Sequence, residues 1–196
     1  HSILLAPGVV LGLPGLMSVV LSGVAGGLVF VLARRATNPW IALIAWLFWT
    51  TSGVNLRWRA SYYSEVTTSV TVLLAWWSFL NWRLTSRRSF LLVLAVATGW
   101  GAITRPLTML VFALPIGVVA LYDIAKKRAW RDTVAAVVVT VAVLAILPLR
   151  SKATTGSVSP SPLGRNTSDY MPWDKVGFGL DSTPPARVLP PDLQRV

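Results

Sequence analysis

Cysteine is absent from the sequence, and histidine and glutamate occur once each, as His1 and Glu65. Without thiols there are no disulfides and no thiolate metal sites, and a lone imidazole leaves a histidine-based metal centre short of ligands. No Gly-rich phosphate loop follows a strand, and there is no Ser/His/Asp set and no internal repeat. Charge is scarce: Asp, Glu, Lys and Arg make up 13% of the 196 residues, near half the usual share. What charge exists leans one way, with 18 basic against 7 acidic residues and a formal net charge of +11. In a soluble chain that excess points to nucleic acid. Here the cations fall mainly between apolar runs, the pattern of membrane topology, so no nucleic-acid partner is expected.

Hydrocarbon fills the rest. Hydrophobic residues make up 54% of the chain, with ten tryptophans, and the mean hydropathy is +0.63. These values predict an all-α polytopic membrane protein in contact with the lipid bilayer. Six transmembrane helices are predicted at residues 16–33, 40–54, 66–82, 90–104, 107–122 and 133–149, within a membrane domain covering 1–150. At 1.5 Å per residue the first of these spans about 27 Å, close to the hydrocarbon thickness. Its Gly23 and Gly27 form a small-residue face suited to helix packing. Before it, Pro7 and Pro14 interrupt an apolar stretch that suits an interfacial or re-entrant piece, or the end of a helix begun upstream. No basic leader precedes that stretch, so no signal peptide is read, and the chain is expected to be the middle of a longer one. Asn38-Pro39 opens the second span with proline placed for a first helical turn. Thr104-Arg105-Pro106 divides a run too long for one helix.

The loop cations alternate. One side carries Arg34, Arg35, Arg83, Arg87, Arg88, Lys126, Lys127, Arg128 and Arg131, and the short loops of the other carry only Arg57, Arg59 and Arg105. The positive-inside rule makes the first set cytoplasmic. The protein is thus expected in the plasma membrane, with Arg57, Arg59, Arg105, His1 and the tail 151–196 on the extracytoplasmic side. That tail is rich in Pro, Gly and Ser and has no run long enough to span.

The stretch Arg57-Trp58-Arg59-Ala60-Ser61-Tyr62-Tyr63-Ser64-Glu65 stands out between two apolar segments. A charge so close to hydrocarbon is costly unless paired, hydrated or in use. Two arginines with a carboxylate at the head of a helix can hold an anionic head group and orient its reaction partner. The same residues also suit an ordinary interfacial anchor, with arginines snorkelling and tyrosines in the aromatic belt.

The order of these features resembles the lipid-dependent membrane glycosyltransferases of the C superfamily, including the protein O-mannosyltransferases and the lipid A aminoarabinose transferases. His1-Ser2-Ile3-Leu4-Leu5 is similar to the family's His-Pro-Pro-Leu type segment, with Ser2 in place of the expected proline. Gly23 to Arg35 looks like the next helix and its cytoplasmic turn. Tyr63-Ser64-Glu65 resembles the Ser-Glu at the head of a later helix. Gly99 to Pro115 resembles the block that turns through Thr-Arg-Pro, and Thr155-Gly156-Ser157 and Gly177-Phe178-Gly179 look like the end of such a core.

The resemblance implies transfer, with inversion, of a sugar from a polyprenyl-phosphate donor to an extracytoplasmic acceptor, with that lipid-linked sugar as donor substrate. No metal site and no cofactor are expected from the residues themselves. The usual base is an acidic residue in a loop before the His segment. That loop precedes His1, so the catalytic base is unknown, Glu65 is a weak candidate, and the chain alone is expected to be inactive. Arg57, Arg59 and Arg105 are candidates for the donor phosphate, since departing phosphate gains charge that guanidinium forks can hold. Tyr62 and Tyr63 are candidates for lining the sugar site, and His1 for substrate contact. A non-catalytic membrane subunit, a truncated product or a transporter segment remain the alternatives. For a transporter a polar break in mid-membrane would be expected.

Overall fold

The computed structural model describes residues 2–53, 64–127 and 130–158. All regular structure among them is helical, in seven helices: α1 (Ser2–Val10), α2 (Leu16–Ala36), α3 (Pro39–Thr51), α4 (Glu65–Thr85), α5 (Arg88–Thr104), α6 (Pro106–Lys127) and α7 (Trp130–Thr155). The chain divides into two compact units, His1–Leu144 and Ala145–Val196.

Local chemistry explains the helix boundaries in the first unit. The apolar opening folds as α1 despite Pro7, then turns at Gly12, whose φ of 69° suits a residue without a side chain. Asn38 caps α3: its side chain accepts from the Ile41 N–H at 2.9 Å, and Pro39 occupies the first turn. Ser86 ends α4 in the left-handed region, its N–H donating to the Trp82 carbonyl. Arg105 ends α5 outside the helical region, with φ −146° and ψ 87°, as a residue before proline avoids the helical conformation, and Pro106 starts α6. The predicted break at Thr104-Arg105-Pro106 is therefore the α5–α6 corner.

Helix α4 is the centre of the bundle and packs on α2, α5 and α6, while α2 also meets α1 and α3. The core joins Ala75, Phe79 and Trp82 of α4, Leu91, Leu94 and Ala97 of α5, and Met109, Ile116, Ala120 and Ile124 of α6. Close approaches of α5 to its neighbours depend on glycine. A side chain at Gly101 would meet the Met109 sulfur at 2.5 Å, and one at Gly99 would meet Val143 at 3.1 Å.

Among the described residues three helices are long and apolar enough to cross a membrane: α2, α6 and, over Trp130–Thr154, α7. Helices α3 and α5 are apolar but shorter. Helix α4 has the length, 21 residues, but buries Thr67, Thr68, Thr71, Ser78 and Asn81 against its neighbours. The outer surfaces carry exposed aliphatic and aromatic side chains, among them Val19, Phe48, Val118 and Val141. In water so much exposed apolar surface would drive association; in a bilayer it is the lipid-facing coat. The molecule is an integral membrane protein.

In the second unit α7 runs through Pro148 to Thr155, and Gly156, with φ of 72°, ends it. The Ser151 hydroxyl donates to the Ser157 carbonyl at 2.9 Å, folding the chain back over the helix end.

Candidate functional site

Two sequence-distant corners meet at one end of the first unit. Helix α4 begins at Glu65, where the unpaired N–H groups of the first turn favour a carboxylate. The α5–α6 corner presents Arg105, whose backbone is fixed on both sides. Its N–H donates to the Gly101 carbonyl at 2.8 Å, and its carbonyl accepts from the Met109 N–H at 2.9 Å. From this anchored backbone the Arg105 Nε donates to the Ser64 hydroxyl at 2.9 Å. Its Nη2 donates to Glu65 Oε1 in an ion pair.

The clamp is partly open. The Arg105 side chain remains 42% exposed and that of Glu65 25%. Two bonds occupy only part of the guanidinium fork, so N–H groups remain to meet an oxyanion. Glu65 Oε2 is buried with no hydrogen-bond partner among the described residues. Within α4 the Thr68 hydroxyl donates to the Ser64 carbonyl at 2.8 Å and Ser69 to that of Glu65 at 2.9 Å, holding the first turn in shape. The chemical character is that of a positioned cation, kept at the surface by a carboxylate and a hydroxyl.

Of the candidate residues, the structure brings Glu65 and Arg105 together. Arg57, Arg59, Tyr62, Tyr63 and His1 lie outside the described residues. Ser64 was a motif residue in the sequence, and the structure makes it a direct partner of Arg105. The signal was its place beside Glu65 at a helix start.

The opposite end of the unit is also organised. Arg83 Nε donates to Asp123 Oδ2 at 2.6 Å, tying α4 to α6. Arg35 Nη2 donates to Asn81 Oδ1 at 2.7 Å, tying α2 to α4. Lys127 Nζ donates to the Arg83 carbonyl at 2.9 Å and the Ser86 hydroxyl at 3.0 Å, above the Trp82 ring. In the sequence these cations mark topology alone. Asn81 inside an apolar run was the sign that one of them has a partner.

A membrane-embedded helical bundle with a Ser-Glu helix start clamped to a Thr-Arg-Pro corner agrees in class with the lipid-dependent glycosyltransferases of the C superfamily. Residues 15–151 match the family model described as dolichyl-phosphate-mannose-protein mannosyltransferase, and the chain belongs to that family. Neither a curated protein nor a solved structure matches it.

Proposed function

We propose that this chain forms part of a membrane glycosyltransferase that takes a sugar from a polyprenyl-phosphate donor and passes it to an acceptor on the extracytoplasmic face. The observation that carries this reading is the half-exposed Arg105 guanidinium, held in place by Ser64 and Glu65 at the end of the bundle away from the loop cations. Transfer leaves negative charge on the departing phosphate, and a cation already oriented stabilises that charge without reorganising. The fork favours phosphate over a less directional anion.

A second feature supports a lipid donor. An apolar cavity of about 390 Å³ lies between α5, α6 and α7, lined among others by Leu94, Thr98, Ala113, Ile116, Gly117 and Val137. Thr98 is seven residues before Arg105 on the same helical path, about 10 Å along the axis. An isoprenoid tail lying in this cavity and continuing past Thr98 and Ala113 would bring its phosphate toward the corner. The six predicted spans belong to the same reading, with α3, α4 and α5 completing the set. Arg57 and Arg59 would join the phosphate, Tyr62 and Tyr63 would line the sugar, and His1 would contact substrate. Charged groups at the helix ends favour this over a transport path, for which a polar break at the midplane is expected.

Photo-crosslinking tests the reading directly. The chain, reconstituted in bilayers, is labelled with a polyprenyl phosphate carrying a diazirine near the phosphate end of its tail. Label is expected on α5 and α6, and unlabelled polyprenyl phosphate is expected to suppress it. The uncharged polyprenol should suppress it far less. Equal competition by the two would remove the phosphate from the assignment, and no labelling above a phospholipid control would remove the donor.

A further inference from the structure

At the basic end, α2 and α4 enclose a pocket of about 530 Å³ lined by Leu32, Arg35, Ala36, Leu80, Arg83 and Leu84. The lining is layered. On each helix an arginine stands three residues beyond a leucine, Arg35 after Leu32 and Arg83 after Leu80, so the cations lie roughly 4.5 Å nearer the helix ends than these two leucines, while Leu84 stands at the rim beside Arg83. The two charges differ in how they are compensated. Arg83 is paired with Asp123. Arg35 is oriented by Asn81, a neutral acceptor that fixes its direction and leaves its charge intact. Among the described residues no carboxylate lines the pocket, and Lys127 adds positive charge beside Arg83.

A pocket with a fixed, uncompensated guanidinium above an apolar floor, at the end of a helix long enough to span a membrane, matches an amphiphile with an anionic head. A soluble anion would leave the leucines wet, and a zwitterionic lipid would meet the cation with a second positive charge. We propose that this pocket binds an anionic phospholipid, its phosphate between Arg35 and Arg83 and one acyl chain along Leu32 and Leu80, with Leu84 at the entrance. The site lies at the opposite end of α4 from Arg105 and does not depend on the role of that residue.

The test uses the full chain in detergent micelles doped with phosphatidylglycerol or phosphatidylcholine, with retained lipid counted by native mass spectrometry. One phosphatidylglycerol is expected to stay bound in preference to phosphatidylcholine. Arg35→Gln is expected to lower that retention about fivefold, the effect of one cation near a lipid surface. Arg34→Gln, at the same helix end but outside the pocket lining, should change it little. Leu84→Trp, at a position 76% exposed and so tolerant of substitution, should block the groove and release the lipid. Equal retention of the two lipids overturns the proposal. So does an equal loss in the Arg34 and Arg35 variants, which would mean diffuse attraction. Displacement by soluble glycerol phosphate at matched concentration would assign the pocket to a free anion instead and overturn the lipid.

Discussion

Arg105 and Glu65 are 40 residues apart in the chain and joined by an ion pair between the α5–α6 corner and the start of α4. Ser64 accepts from the same guanidinium, so one side chain closes both corners. Each backbone is set by its own helix boundary: the carboxylate at a helix N-terminus, the arginine before a helix-starting proline. The pair therefore meets without a flexible loop to bring it together. The pair is only partly exposed, with Glu65 Oε2 buried, so removing Arg105 alone leaves a carboxylate without its counter-charge. The effect of the pair is to aim the guanidinium.

The α4–α5–α6 contact should be intolerant of volume at one glycine and tolerant at another. A Cβ at Gly101 would sit 2.5 Å from the Met109 sulfur and 3.0 Å from the Thr71 hydroxyl, and Met109 is itself buried. Gly101→Ala should cost about 1–3 kcal/mol by overpacking. Gly117 has open space where a methyl would go, so Gly117→Ala should be neutral or gain up to about 1 kcal/mol from helix propensity. Thermal unfolding in detergent distinguishes them; equal melting temperatures would remove the close approach.

The Arg83–Asp123 pair should respond asymmetrically. Asp123 is 7% exposed, whereas Arg83 reaches water with 46% of its side chain. Arg83→Met strands a buried carboxylate, at a cost of about 3 kcal/mol. Asp123→Asn keeps an acceptor for Arg83 and leaves a cation that can turn to solvent, so about 1 kcal/mol or less is expected. The double variant Arg83→Met with Asp123→Leu should recover most of the loss. If chemical denaturation gives the two single variants equal stability, Asp123 is not held as the geometry implies.

Sidedness can be read with cysteines, since the chain has none of its own. Ser86→Cys lies among the cations between α4 and α5 and should resist an impermeant thiol reagent until cells are permeabilised. Ser61→Cys, between Arg57 and Glu65 in sequence, should react in intact cells. The reverse pattern would invert the orientation and move the Arg105 end to the cytoplasm.

Helix positions were legible in the sequence because apolar runs and their breakers act locally. Asn38-Pro39 and Arg105-Pro106 each start or terminate a helix through their own backbone preferences, whereas the left-handed Ser86 that ends α4 past the predicted boundary at residue 82 carried no such signal. The polar face of α4 was less legible. Thr67, Thr71 and Ser78 are scattered in an apolar run, and only packing on three neighbours reveals them as the inward side. Pairings across the bundle, Arg35 with Asn81 and Arg105 with Ser64, depend on which helices are adjacent, which residue spacing within one helix does not encode. The charge alternation did mark Arg105 as unusual before any partner was known.

The decisive measurement concerns Arg105 and separates binding from aim. Arg105→Ala removes a charge-assisted contact worth about 1.5–3 kcal/mol, so affinity for polyprenyl phosphate should fall about 10- to 150-fold. It also strips Glu65 of its partner, so a loss of fold could imitate a loss of site. Glu65→Gln in the same chain removes the stranded charge and should restore stability without restoring binding. Arg105→Lys keeps the charge but lacks the planar fork. A single ammonium cannot satisfy Ser64, Glu65 and a phosphate in the same geometry, so only part of the affinity should return. If Arg105 served only to cap α5 and snorkel to the interface, lysine would substitute fully and lipid binding would follow protein level. Near-normal binding by Arg105→Ala in a well-folded sample would sink the assignment, and full rescue by lysine would reduce Arg105 to an anchor.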